Sequence, residues 1–203
     1  PNISPRLAVR VGVLFMLAGV LLLLTSIDLD AGVEVVAIPL LLLGAGIGML
    51  ASQLGSVTVS SVPDSQSSEV GGLQNTATNL GASLGTALAG SGLIAVLTSS
   101  LIGGLNTNVD IPASVAASAT TQLASGAPFV SDSALQQSLT SAGITDPEES
   151  AILDSNRKAR IDGLHASLAL IALVAVAALF AAQRIQTTQP SATTDADEPL
   201  ATG

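Results

Sequence analysis

Few side chains in this sequence are equipped for chemistry, and most of those lie in or beside long apolar runs. Gln53 lies in the second such run, Gln74, Asn75 and Asn79 open the third, and Asp162 and His165 open the fourth. Amides at such positions can line a polar cavity; equally, they can bond to a neighbouring helix or sit at an interface. His165 can titrate near neutral pH or serve as a hydrogen-bonded interface residue. No Asp, Glu or Lys falls in the middle of an apolar run. Ionisable groups at membrane depth are the usual marks of proton relays, so no proton-coupling site is visible. Cysteine is absent and histidine occurs once. That excludes disulfides, thiolate zinc sites, cysteine nucleophiles and an all-histidine metal cluster. Ser, His and Asp are present without a nucleophile elbow. The glycines at 44, 46 and 48 lack the Lys-Ser/Thr of a phosphate loop and sit among apolar residues. No catalytic residue, metal site or cofactor is expected, and the chain does not read as an enzyme.

The elements that carry these residues follow from composition. Of 203 residues, 48% are hydrophobic and 10% charged, against roughly 25% charged in soluble domains. The net charge of -9, with six Lys and Arg, excludes a nucleic-acid binder acting through basic patches. A membrane protein remains. A hydrocarbon core about 30 Å thick takes about 20 apolar residues to cross as a helix. Four runs qualify: residues 7–27, 35–59, 79–102 and 161–182. The first holds 13 Leu, Val, Ile or Phe, a gain of roughly 4–8 kcal/mol that exceeds the roughly 2.5–3.5 kcal/mol cost of Arg10. Arg10 lies near one end and can snorkel to the headgroups. This run is too long for a secretory signal and lacks a small-residue cleavage site. Backbone groups in lipid must bond within their own segment, and barrel alternation is missing, so the spans are helices. The fold class expected is an all-α membrane protein of four transmembrane helices, with a partly helical extracytoplasmic loop.

The connections differ in character. The acidic link at 28–34 makes the first two spans an antiparallel hairpin, and the loop at 60–72 carries Pro63 and a polar run. In the long segment 103–160, Asp110 is expected to cap a helix opening at Ile111-Pro112, and Ser131 or Asp132 to start another ending before Gly143. Thr145-Asp146-Pro147-Glu148 reads as a capping box with proline in the first turn, launching a helix into the fourth span. On it, Asp154 and Lys158 are spaced to pair. The tail, 183–203, is Thr-, Pro- and Asp-rich and expected to be disordered. Basic residues tie across the two sides, with Arg6, Arg10 and Arg184 against Arg157, Lys158 and Arg160.

Helices in lipid associate through small residues. Gly44, Gly46 and Gly48 in the second span, and Gly81, Gly85 and Ala89 in the third, are the candidate packing positions. They allow close approach and rocking, or ordinary static packing. Pro39 either bends the second span or starts its helix.

Three stretches carry a resemblance. They are Pro-Leu-Leu-Leu-Leu-Gly-Ala-Gly-Ile-Gly-Met at 39–49, Ser61-Val62-Pro63-Asp64, and Gly-Leu-Gln-Asn-Thr-Ala-Thr-Asn-Leu-Gly-Ala-Ser-Leu-Gly-Thr-Ala at 72–87. Together they resemble the closing region of major facilitator superfamily transporters, in the 14-helix drug/proton antiporter branch of the EmrB/QacA type. Arg6 and Arg10, the acidic turn Asp28-Leu29-Asp30 and the start Asp162-Gly163-Leu164-His165 fit the same order, so the likeness covers roughly 6–185. It departs from the family at Thr78 and Asn79, where a basic residue and Gln are usual, and at 60–72, which lacks Lys and Arg. The resemblance implies the last four helices of a multidrug efflux carrier of the bacterial inner membrane, with cytoplasmic termini. It also implies missing N-terminal helices as partners and, in the intact protein, a drug-like substrate and proton coupling. Such a piece is not expected to transport alone. Pro1, in place of Met, fits a processed product or a piece of a longer chain. The weak candidates for a substrate cavity are Gln53, Gln74, Asn75 and Asn79; the lack of Trp and Tyr argues against an aromatic drug cage. The rivals are a free-standing four-helix membrane scaffold or partner subunit, and a soluble Ala/Ser-rich surface protein.

Overall fold

A computed structural model of the chain describes residues 5–28, 32–59 and 67–184, and among these it is all-helical, with no strand. Four of its helices are long and apolar enough to cross a membrane. Helix α1 spans Pro5–Ser26 and α2 spans Ala37–Val59, entered through a 3-10 turn at Val33–Val36. Pro39 falls in the first turn of α2, where a backbone N–H has no helical partner, so it starts the helix and does not bend it. Thr25 completes the far end of α1 by donating to the carbonyls of Leu21 and Leu22, at 3.2 and 3.0 Å.

Helix α3, Ser67–Thr107, and helix α6, Glu148–Ala181, are far longer than the apolar runs they contain. At 1.5 Å per residue they extend about 60 and 50 Å, against a hydrocarbon core of about 30 Å. Helix α3 begins at Ser67, inside the stretch read as a loop at 60–72. Glu69 in its first turn favours that start by meeting the positive end of the helix dipole. Pro63 and the Val-Pro pair lie outside the described residues, as do Asp30 and positions 185–203 of the tail; 183–184 belong to a closing 3-10 turn, Ala182–Arg184.

Helix α1 packs along α2, α3 along α6, and α1 bridges to α6. The overhanging ends of α3 and α6 carry two short helices, α4 at Ala113–Leu123 and α5 at Asp132–Ser141. Leu97, Leu101 and Leu105 of α3 meet Ile152 and Leu153 of α6 there, covered by Ile111, Ala116 and Leu139. This cap is held as a water-soluble domain is, by side chains withdrawn from solvent.

The cap corrects three local expectations. Ser131 does cap α5, accepting from the Ala134 N–H at 3.3 Å, and that helix ends before Gly143, whose φ of +77° suits the left-handed residue after a helix. Asp110 caps nothing. Pro112 is the N-cap of α4 and makes no side-chain cap bond, while the Asp110 N–H turns back to Asn108 Oδ1 at 3.0 Å. The capping box at 145–148 does not form either: Pro147 is itself the N-cap of α6, and the Thr145 carbonyl accepts from the Glu149 N–H. Asp154 pairs with Arg157 at 3.2 Å and not with Lys158. A neighbouring helix decides this, because Asp132 draws the Arg157 guanidinium to a place where it reaches both carboxylates.

Candidate functional site

The candidate amides of α3, Gln74, Asn75 and Asn79, lie on its first half, which is largely exposed. Leu73, Leu80, Leu84 and Leu88 are 55 to 70% exposed, far beyond what a buried helix face allows. Between them, Asn75 and Asn79 share one strip, with Asn79 Nδ2 donating to Asn75 Oδ1 at 3.4 Å. Gln74 is half-buried on the same helix, while Gln53 belongs to α2, half-buried and already partnered. The structure therefore gathers Gln74, Asn75 and Asn79 on one helix and leaves Gln53 on a different helix pair.

The hydroxyls along α3 are committed inward. Thr76, Thr78, Ser83 and Thr86 each donate to the carbonyl four residues back, at 2.9 to 3.0 Å. This leaves the amides as the outward-facing hydrogen-bonding groups, on a face otherwise made of Gly, Ala and Leu. Such a surface can hold another helix at close range and offer uncharged hydrogen bonds.

The glycines divide sharply. A Cβ on Gly46 would sit 2.6 Å from the Gly12 carbonyl oxygen, and one on Gly19 would sit 2.8 Å from that of Pro39. These contacts lie seven residues apart on each helix, in one antiparallel register. Gly163 of α6 likewise faces the Leu93 carbonyl, at 2.9 Å. By contrast, a Cβ at Gly44, Gly48, Gly81 or Gly85 would meet nothing within 4 Å, and Ala89 is half-buried. Sequence reasoning passed over Gly12, Gly19 and Gly163. The seven-residue spacing of the first two was the available signal.

Polar links tie the pairs together at the cap end. His165 Nε2 lies 3.0 Å from the Ile27 carbonyl oxygen, which only accepts, so the imidazole donates and joins α6 to the end of α1. This is the interface role. The Ser100 hydroxyl donates to Asp162 Oδ2, joining α3 to α6. Asp132 takes Arg157 Nε at 2.8 Å and Arg160 Nη1 at 2.9 Å, with the Phe129 ring 5.1 Å from the Arg160 guanidinium. Asp28 lines the same small hollow. The hydrogen bond from Arg157, aided by the charges of both arginines, holds the Asp132 carboxyl below the usual carboxylate range despite partial burial. The Asp132 carboxylate in turn raises Arg157.

Among the described residues, no three His, Asp or Glu side chains gather closely enough to hold a metal ion. Comparison with protein-family models, curated proteins and solved structures finds no match to this chain.

Proposed function

We propose that this chain is the carboxy-terminal four-helix portion of a proton-coupled multidrug efflux transporter of the bacterial inner membrane. It would belong to the major facilitator superfamily, in its 14-helix drug/proton antiporter branch, and act as part of a carrier and not as an enzyme. The observation that carries the reading is the first half of α3: a face of small residues, leucines and amides left largely exposed among the described residues. Exposed apolar surface on this scale marks a site that meets lipid or another protein segment. The resemblance at 39–49 and 72–87 supplies the identity of that segment, the preceding helices of the carrier. In this arrangement both termini are cytoplasmic and the cap stands outside.

The mechanical role follows from the packing. The α1–α2 and α3–α6 pairs are locked by glycine contacts and by the His165 and Ser100 links, so they move as a unit. The unlocked glycines at 81 and 85 lie on the face that would slide against the missing helices, as alternating access requires. Substrate and proton are handled jointly with those helices, since no carboxylate lies in mid-span here.

Two experiments test the reading. Residues 1–203 expressed in a drug-sensitive bacterial host should stay in carbonate-washed membranes and confer no efflux; proton-coupled export by this piece alone overturns it. The reading frame upstream of Pro1 should continue and encode further apolar helices. A start codon immediately before Pro1 would instead leave a free-standing membrane scaffold.

A further inference from the structure

Between the overhanging ends of α3 and α6 and the two short helices lies an open-mouthed cavity of about 600 Å³. Leu105, Leu123, Leu135, Leu139 and Ile152 form much of its wall. No charged or aromatic residue lines it. Asn156 of α6 also lines it, only 1% exposed, and its Nδ2 has no hydrogen-bond partner. A buried amide donor left unpaired is costly, and native structures rarely keep one without a reason. Water is a poor answer, because an ordered water needs two to four polar partners. The other polar residues of the lining, Ser114, Ser118 and Gln122, are exposed on α4, and the Ser118 hydroxyl is committed to the Ser114 carbonyl at 2.8 Å.

We propose that this cavity is a binding site for an uncharged, mainly apolar small molecule whose single acceptor oxygen, of the ester or amide carbonyl type, takes the Asn156 Nδ2 hydrogen bond. The volume is that of ordinary small-molecule sites, which are apolar with a few placed polar groups. The wall excludes the alternatives. A cation would find neither carboxylate nor aromatic face, and an anion would find no Lys or Arg. The site is separate from the open face of α3 and stands whether or not the chain is part of a carrier.

The test uses the full chain in lipid nanodiscs with a photoactivatable probe, a diazirine-bearing methyl ester of a medium-chain fatty acid, and maps the adducts by mass spectrometry. Saturable labelling of cap peptides from α4, α5 and the start of α6 is expected, competed by the plain methyl ester. Asn156→Leu should raise the half-saturating concentration about 3- to 10-fold, the loss of one hydrogen bond. Ala119→Phe, placed on the cavity wall, should abolish saturable cap labelling. Where circular dichroism shows that Asn156→Leu has not folded, Ala119→Phe decides alone. Labelling that never saturates, or that falls on the long helices and spares the cap, overturns the site. So does an unchanged half-saturation in the folded variants.

Discussion

Leu97 of α3 is wholly buried, whereas Leu80, less than five turns earlier on the same helix, is 59% exposed. The first lies where the cap closes over the ends of α3 and α6, the second where α3 runs uncovered. The cap is stabilised by taking leucine and isoleucine out of water, a non-directional effect that scales with area. Along the uncapped stretches of the long helices, buried Val13, Val20 and Leu23 of α1 are joined by places where glycine lets one backbone touch another. One helix thus has two environments within the chain. Its cap end belongs to a small folded domain, and its other end presents apolar surface to whatever surrounds it.

The contrast can be broken or sharpened by substitution. The largest effect is expected in the cap: Leu105→Ala, at a position 4% exposed, should cost about 2–5 kcal/mol, read as a lowered melting temperature in detergent. Next comes the glycine register. Gly46→Val forces a side chain into the Gly12 carbonyl and Met16, and should cost about 1–3 kcal/mol in the same assay. Asp132→Asn removes the carboxylate that gathers Arg157 and Arg160. These groups are partly exposed and screened, so a loss of about 1 kcal/mol is expected, with faster proteolysis in the cap as a second readout. Smallest of all, Gly81→Val and Gly85→Val should shift stability of this 203-residue chain by no more than about 0.5 kcal/mol, because open space receives the new side chains. A melt shift in those variants as large as that of Gly46→Val would erase the distinction between locked and open glycines.

Acid provides a further handle on the cap. Asp132 has a folded-state pKa below its ordinary value, so its stabilising contribution is full above the unfolded carboxylate pKa and disappears as pH falls through the folded one. Arg157, raised by the same contact, stays charged across the whole accessible range. Melting temperatures of the parent and Asp132→Asn should therefore stay apart through neutral and mildly acidic pH and converge below the usual carboxylate range. A gap that closes near neutral pH would assign the effect to some other group.

Much of the helical architecture was legible because its cause is local. Whether 20 consecutive residues are apolar enough for a membrane helix is counted one residue at a time, and α1, α2, α3 and α6 each contain such a run. Ser131 as a cap was legible for the same reason, since it acts within one turn. The caps at 110 and 145–148 were misread because proline took the N-cap position in both, and a proline side chain cannot accept a hydrogen bond. Of the candidate polar groups, Asn75 and Asn79 are spaced one turn apart and meet, while nothing in the spacing of Gln53 could say which helix it would face.

Hydropathy, the lack of cysteine and the net charge of -9 are properties of the chain read in order, and they gave the helical class and the exclusion of thiol and basic-patch chemistry. Folding alone decided the rest: which glycines close on a neighbour, that His165 reaches the carbonyl of Ile27, that Asp132 gathers two arginines from α6, and that Asn156 is buried with an idle donor. Each depends on residues far apart in sequence meeting across helix faces, and glycines only two positions apart, Gly46 and Gly48, end on opposite sides of that outcome.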